Sequence, residues 1–279
     1  MDLPKNQVQI PNISVITRTN IGRRPRQEDR YFNHVPLAGN IFIYGLFDGH
    51  GTLGGDVADI CVSSFPYWIR QKYAMNGGDL GATLPASFHS VDTTVRILCE
   101  DEKAIQLQTT GTTALITVVT PDSIWIANAG DSLALILLKN GECHMITPEH
   151  KVSAPHESQR IREEGGVVTY DVPGDPSTAR IQGTLNVSRG IGDFFMKKHF
   201  IPNPDVRSIS GQAFSQVRAI IMASDGLWDV MREKDVEEIV SIALSQDDKN
   251  KEKDIAELLV ANALNRGSTD NITVTCIFL

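Results

Sequence analysis

The chain has few of the features that mark secreted, disulfide-bonded or membrane proteins. Only four cysteines occur in 279 residues (Cys61, Cys99, Cys143 and Cys276), and none forms a Cys-x-x-Cys pair, so neither a disulfide framework nor a zinc knuckle is predicted. The first residues lack a basic segment followed by an apolar one, and no run approaches the roughly 20 apolar residues that span a bilayer. We therefore expect a cytoplasmic or nuclear protein with free thiols and no membrane partner.

Positive charge is also scarce. Lys and Arg total 26 against 34 Asp and Glu, which gives a net charge of -8. A protein that binds a nucleic-acid backbone needs clustered basic side chains, so we expect no nucleic-acid partner. An enzyme that acts on anionic substrates would have to draw local positive charge from bound metal and a few placed arginines.

No repeat, low-complexity segment or long linker divides the chain. Residues 1–279 are therefore predicted to form one domain and a monomer, with residues 1–13 as a loose lead-in. Strands are predicted at residues 41–47, 113–119, 123–129, 133–138, 219–223 and 272–279, and the second to fourth should form an antiparallel meander. Helices are predicted at residues 57–69, where Pro66 should bend or interrupt the helix, and at 86–102, 157–164, 236–243 and 255–266. Since strands come mostly in hairpins and helices in groups, the fold class is α+β.

Aspartates recur at the edges of the apolar strands, usually beside a glycine. The pairs are Asp48-Gly49, Gly130-Asp131, Gly192-Asp193, Asp225-Gly226 and Asp270-Asn271, and Glu28-Asp29 follows a basic stretch. Each pair alone is typical of a turn. Aspartates gathered at strand ends would repel one another unless a cation lay among them, and hard oxygen ligands favour Mg²⁺ or Mn²⁺ over zinc.

Seven motifs, in order and over nearly the whole length, resemble the metal-dependent protein phosphatases of the 2C type. They are Arg24-Pro-Arg-Gln-Glu28-Asp29, Phe47-Asp48-Gly49-His50-Gly51, Thr110-Gly111-Thr112-Thr113-Ala114, Ala127-Asn128-Ala129-Gly130-Asp131-Ser132, Asn186-Val-Ser188-Arg189-Gly190-Ile-Gly192-Asp193-Phe194, Ala223-Ser-Asp225-Gly226-Leu-Trp228-Asp229-Val230 and Gly267-Ser-Thr-Asp270-Asn271. The resemblance implies a four-layer αββα sandwich, in which two antiparallel sheets pack face to face between layers of helices. It also implies a flap beside the active site at about residues 152–183.

The resemblance further implies hydrolysis of phosphoserine and phosphothreonine in proteins by two Mn²⁺ or Mg²⁺ ions. Asp48 would bridge the ions, with Glu28 and the Gly49 carbonyl on one and Asp225 and Asp270 on the other. Two ions about 4 Å apart can share a water and present it as hydroxide in line with phosphorus, so no covalent enzyme intermediate is needed.

Other roles are implied in the same way. Arg24 would bind the substrate phosphate with two of its nitrogens, and His50 would protonate the departing oxygen. Asp131 and Asp193 are either acids of the metal centre, where Asp131 could share a third, weaker ion with Asp225, or hydrogen-bonded turn aspartates. Asp29 and Asn271 are expected to orient neighbouring ligands, whereas Ser188-Arg189 and Thr112-Thr113 are expected to serve packing. The six remaining histidines are expected at the surface or in loops.

Cysteine-based phosphatase chemistry is excluded, because the residues six positions after Cys61, Cys99 and Cys143 are Tyr67, Ile105 and Glu149 rather than arginine. Two alternatives stay open. One is a catalytically silent phosphatase fold that serves as a regulatory binding module, although such a chain would be expected to lose ligand acids that are present here. The other is an esterase of small phosphate compounds.

Overall fold

Two five-stranded antiparallel sheets form the centre of the computed structural model, which describes residues 13–99, 106, 108–245 and 251–279. The first sheet has the order β1 (Ser14–Asn20), β15 (Ile272–Phe278), β14 (Val217–Ala223), β8 (Leu133–Leu138) and β9 (Cys143–Met145). The second has the order β13 (Asp205–Ser210), β7 (Ser123–Ala129), β6 (Ala114–Val119), β3 (Ile41–Phe47) and β2 (Arg30–Ala38). Residues 1–12 of the expected lead-in lie outside the described residues.

Helices cover the outer face of each large sheet, while short strands form two separate small sheets. The helices are α1 (Gly54–Met75), α2 (Leu80–Cys99), α3 (Pro155–Glu163), α4 (Gly211–Gln216), α5 (Asp225–Trp228), α6 (Glu233–Ser245) and α7 (Lys251–Asn265). Helices α1 and α2 cover the outer face of the second sheet, and α5 to α7 cover that of the first. The short strands are β4 (Gly49–His50), β5 (Gly111–Thr112) and β12 (Ile191–Gly192), which form a small sheet, and β10 (Val168–Tyr170) and β11 (Ala179–Ile181), which form a hairpin. No helix in the described ranges is long and apolar enough to cross a bilayer.

Three hydrophobic layers hold this arrangement together. Successive side chains of β3 point to opposite faces, so Tyr44 and Leu46 join the layer between the sheets while Ile43 and Phe47 pack under α1 and α2. A third layer lies between the first sheet and the helices α5 to α7. The four-layer αββα sandwich and the α+β class are thereby confirmed, as is the antiparallel character of both sheets.

Two of the differences between the predicted and the observed helices have a clear physical cause. Helix α1 is not interrupted at Pro66, although a proline inside a helix costs about 3 kcal/mol. Phe65 and Ile69 are fully buried on either side of it, and the Phe65 ring packs against Phe88 at 4.8 Å, so burial outweighs the lost hydrogen bond. Helix α2 begins six residues earlier than predicted, because Asp79 Oδ1 accepts hydrogen bonds from the first backbone N–H groups of the helix. Its predicted end, Glu102, lies outside the described residues.

The predicted meander of three strands is wrong in its third member. Strands β6 and β7 pair as expected, but β8 pairs with β14 and β9 in the first sheet. Both faces of β8 are buried, because Leu135 faces the helices while Ile136 faces the second sheet. The turn at Gly130, with φ of 132°, carries the chain from one sheet to the other and leaves Asp131 at the crossing.

Candidate active site

A cavity of about 530 Å³ opens where strands of both sheets end. It is lined by Arg24, Glu28, Asp48, Gly49, His50, Gly51, Thr109, Thr113, Asp131, Arg180, Thr184, Leu185, Asn186, Val187, Asp225, Asp229, Asp270 and Asn271. Every predicted site residue except Asp193 is in this set. Arg24 and Asp270, which are 246 positions apart in sequence, meet here.

Asp48 follows directly after β3, and its backbone is held on both sides by Thr113. The Asp48 N–H donates to Thr113 Oγ1 at 3.0 Å, and the Asp48 carbonyl accepts from the Thr113 N–H at 2.9 Å. The next residue must be glycine, because a Cβ at Gly49 would run into the backbone of Gly54 and lie 2.9 Å from the Glu28 carbonyl oxygen. Thr113, which was expected to serve packing, also holds the Asp48 backbone through these two hydrogen bonds.

Asn271 ties the segment that carries Glu28 to the segment that carries Asp270. Its Oδ1 accepts from the Glu28 N–H at 2.7 Å, while its Nδ2 donates to the carbonyls of Ile21 at 2.9 Å and Arg26 at 3.0 Å. Both lobes of the amide are used, so aspartate could not replace it without losing two donors.

Arg24 lies at the cavity, where it donates to the Asp270 carboxylate in an ion pair. The residue that was expected to bind phosphate is thus joined to a residue that was expected to bind metal. A cation that bound Asp270 would compete with this contact.

The buried acids of the cavity raise one another's pKa values. Burial raises the pKa of Asp48 well above its usual value, and the neighbouring charges of Asp225, Asp29 and Asp131 raise it further. Burial and the charge of Asp225 raise the pKa of Asp131 to about 8. Burial, with the charges of Asp229 and Asp270, raises the pKa of Asp225 to about 7. Such crowding of carboxylates is unfavourable without a compensating positive charge.

The donor set fits hard divalent cations. Three buried carboxylate oxygens, Asp29 Oδ1, Asp131 Oδ2 and Asp225 Oδ1, have no hydrogen-bond partner, and a buried polar atom without a partner is costly. Carboxylate and carbonyl oxygens suit Mg²⁺ and Mn²⁺. Within the described ranges no three acidic, histidine or cysteine side chains already form a closed ligand set, in keeping with the mutual repulsion of the acids and with the engagement of Asp270 by Arg24.

His50 lies at the edge of the cavity against Asp193. Its Nε2 is 2.6 Å from Asp193 Oδ2, and Phe200 packs edge-on against the imidazole at 6.1 Å. Burial would lower the pKa of His50, but the charge and hydrogen bond of Asp193 outweigh burial and raise it. Asp193 therefore contacts the histidine rather than lining the cavity.

Two basic side chains at the site were missed in the sequence. Arg180 of β11 lines the cavity from the flap-like segment, where it pairs with Asp171 at 2.5 Å and donates to the Thr184 carbonyl at 3.0 Å. Lys151 lies 2.7 Å from Asp229 and 4.0 Å from Asp131. The flap was predicted as a segment, but no spacing within it distinguishes Arg180 from other surface arginines.

A buried glutamate anchors the wall of the cavity formed by residues 184–187. The Glu157 side chain of α3 is 1% exposed and accepts hydrogen bonds from Ser188 Oγ at 2.7 Å, Arg189 Nε at 2.9 Å and Arg160 Nη2 at 2.9 Å. Ser188 and Arg189 thus hold the flap-like segment to the following chain. Of the histidines expected at the surface or in loops, His150 is a loop residue that is fully buried, between the Gly130 N–H and Asp205.

Comparison with known proteins gives a consistent picture. The family model for Protein phosphatase 2C matches residues 27–272. Probable protein phosphatase 2C 32 of Oryza sativa subsp. japonica is 32% identical over 284 residues, which cover 99% of this chain and 68% of that protein. Protein phosphatase 1L of Bos taurus is 30% identical over 92% of this chain and 69% of its own length. A crystal structure of serine-threonine phosphatase 2C from Toxoplasma gondii superimposes with a TM-score of 0.77 at 26% identity, over 96% of this chain and 95% of that chain.

Proposed function

Since this chain belongs to the protein phosphatase 2C family, we propose that the acid-lined cavity is the active site at which it dephosphorylates serine and threonine side chains of proteins. Members of this family are metal-dependent protein serine/threonine phosphatases. The observation that carries the placement is the convergence of Glu28, Asp48, Asp225 and Asp270 on one cavity that also holds unpartnered buried carboxylate oxygens.

We assign two Mn²⁺ or Mg²⁺ ions to this site. Asp48 would lie between them, with Glu28 and the Gly49 carbonyl on one side and Asp225 and Asp270 on the other. Bound there, the ions would activate a water and offset the charge of the phosphate. Asp131 with Asp225 is the candidate for a third and weaker ion, since the ammonium of Lys151, 4.0 Å from Asp131, already supplies part of the compensating charge.

Two arginines are placed to receive the phosphate. Arg24 becomes free for this when Asp270 is engaged by a cation, and Arg180 faces the same cavity from the flap-like segment. A planar guanidinium can bind two phosphate oxygens at once. The flap-like segment is then positioned to select the protein around the phosphorylated side chain.

His50 is the candidate general acid. A serine or threonine oxygen is a poor leaving group, so a proton delivered as the P–O bond breaks lowers the barrier. Asp193 fixes the imidazole through Nε2 and favours its protonated form. The described thiols, Cys61, Cys143 and Cys276, are buried and lie outside the cavity, which argues against a phosphocysteine intermediate formed by them.

The proposal is tested with a phosphothreonine peptide and p-nitrophenyl phosphate. Turnover of both should require Mn²⁺ or Mg²⁺, stop with EDTA, and fall by at least about 100-fold in Asp48→Asn and Asp225→Asn. Glu163→Gln, which neutralises an exposed acid on α3, is the matched control and should keep full activity.

Other outcomes would select another function. Mn²⁺ binding without turnover of either substrate would indicate a silent binding module. Turnover of p-nitrophenyl phosphate alone would indicate an esterase of small phosphate compounds.

Residence in the cytoplasm or nucleus and a monomeric state are further proposals. The free thiols of Cys61, Cys143 and Cys276 support the first. Cell fractionation tests the location, and light scattering of the purified protein tests the monomeric state.

A further inference from the structure

Lys197 holds the turn behind His50 together. Its ammonium forms an ion pair with Asp92 of α2 and donates to the Gly192 carbonyl at 3.0 Å. It also lies 5.1 Å from the ring centre of Phe194 and 5.5 Å from that of Phe200, within the range of a cation–π contact. The Lys197 side chain is 25% exposed and that of Asp92 11%. Neither residue lines the cavity.

The turn itself has an unfavourable backbone conformation. Gly192 has φ of 96°, and Asp193 has φ of 49°, which is the left-handed region that a residue with a Cβ rarely adopts. Such a conformation persists only where the surroundings hold it. The Gly192 N–H donates to Asp92 Oδ1 at 3.1 Å, and the Gly192 carbonyl accepts from Lys197. The two residues of the ion pair therefore hydrogen-bond both backbone polar groups of this glycine.

The two residues that contact the His50 ring, Asp193 and Phe200, both lie next to groups held by this ion pair. Asp193, which binds His50 Nε2 at 2.6 Å, directly follows Gly192. Phe200, which meets the imidazole edge-on at an interplanar angle of 82°, has the Lys197 ammonium near its ring. One cation therefore contacts the backbone that precedes Asp193 and the aromatic ring that packs on His50.

We propose that Lys197 and Asp92 form a positioning pair that fixes the orientation in which His50 meets the leaving oxygen, and so sets the selectivity of the enzyme between good and poor leaving groups. The pair touches neither substrate nor metal and acts only through Gly192, Asp193 and Phe200. The inference rests on the proposed role of His50. An ion pair that merely stabilised the fold would change stability without changing this selectivity.

The test compares two substrates on the Mn²⁺-loaded full chain. p-Nitrophenolate leaves readily without a proton, whereas phenolate leaves poorly and needs one. His50→Gln should lower kcat for phenyl phosphate by about 100-fold and kcat for p-nitrophenyl phosphate much less. Lys197→Met keeps the apolar stem and removes the charge, and should lower kcat for phenyl phosphate by about 10-fold, with less than about a threefold loss on p-nitrophenyl phosphate. The KM values and the Mn²⁺ affinity should not change.

Further variants keep the outcome decisive. Asp92→Asn retains an acceptor for the Gly192 N–H but loses the ion pair, and should show the same selective loss. Lys197→Arg should restore part of the rate on phenyl phosphate. Lys198→Met is the matched control, because Lys198 is the exposed neighbour. Circular dichroism checks that each variant is folded. If Lys197→Met does not fold, the rates of Asp92→Asn on the two substrates test the positioning role instead.

Equal losses on both substrates in the folded variants, or no loss, would overturn the positioning role. That result is distinct from failure of the proposed function, in which the parent protein would not hydrolyse either substrate. If His50→Gln itself showed no selectivity for the leaving group, the general-acid role would fail and this inference with it.

Discussion

Glu157→Gln should destabilise the protein by an amount that depends on pH. The substitution removes the charge of a carboxylate that is 1% exposed and accepts hydrogen bonds from Ser188, Arg160 and Arg189. It keeps the volume of the side chain. Arg189, which is 14% exposed, would then lose its closest anionic partner.

The magnitude follows from the pKa of Glu157. Burial alone would raise this pKa, but the hydrogen bonds from Arg189, Ser188 and Arg160 outweigh burial and lower it from 4.5 to about 2. At roughly 1.4 kcal/mol per pH unit, the ionised carboxylate contributes about 3 kcal/mol to the free energy of unfolding. Since the folded-state pKa is the lower one, this contribution is fully present above pH 4.5 and is lost as the pH falls towards 2.

The assay is urea unfolding of the parent protein and the variant between pH 7 and pH 3.5, followed by circular dichroism. The difference in unfolding free energy should be about 3 kcal/mol at pH 7 and should shrink by about 1 kcal/mol at pH 3.5. Glu163→Gln removes a charge from the exposed face of the same helix and should stay within about 0.5 kcal/mol at every pH. A difference below about 1 kcal/mol at pH 7, or one that does not shrink on acidification, would refute the reasoning.

Four other outcomes are expected. Mn²⁺ at 100 times its Kd should stabilise the protein by about 2.7 kcal/mol in thermal unfolding, and the same concentration should have little effect on Asp48→Asn. Gly226→Ala should cost about 3 kcal/mol in chemical unfolding, because the new Cβ would collide with the Asn271 backbone; a neutral result would contradict the close approach. Asn271→Ala should weaken Mn²⁺ binding by about 10-fold in calorimetry, since it releases the Glu28 N–H. Arg180→Met should raise KM for a phosphopeptide by about 10-fold with little change in kcat, and a purely kcat effect would argue against phosphate binding by this residue.

Six of the ten strands in the two large sheets were predicted from the sequence, whereas β1, β2, β9 and β13 were not. The strand at Ile41–Phe47 was predicted with its observed bounds, because a run that is apolar at nearly every position suits a strand covered on both faces. Asp48 and Asp225 follow apolar runs and Asp270 stands just before one, and buried strands bring such positions together. Glu28 follows a basic stretch instead and was assigned through the family resemblance.

Which strands pair with one another, and which distant side chains meet, could not be predicted from the sequence in the same way. Nothing in the residues of β8 shows that it pairs in the first sheet rather than with β7. The alternation of its side chains between the two faces would be the same beside either partner strand. The ion pair of Lys197 with Asp92 joins residues 105 positions apart and has no local pattern. The contact of Asp193 with His50 depends on a left-handed backbone at Asp193, which its sequence neighbours do not predict.

The hydrogen bond between the Asn271 side chain and the Glu28 N–H has a consequence for how the site forms during folding. The two residues are 243 positions apart, and the strands that lead to them, β1 and β15, pair from Ser14 with Phe278 to Asn20 with Ile272. Contacts this distant in sequence form slowly, because the entropy cost of closing a long loop comes before the contacts contribute stabilising energy. A fragment cut before Asp270 lacks both this acid and β15, and therefore also the strand that pairs with β1. Turnover should therefore return on refolding only after β1 has paired with β15.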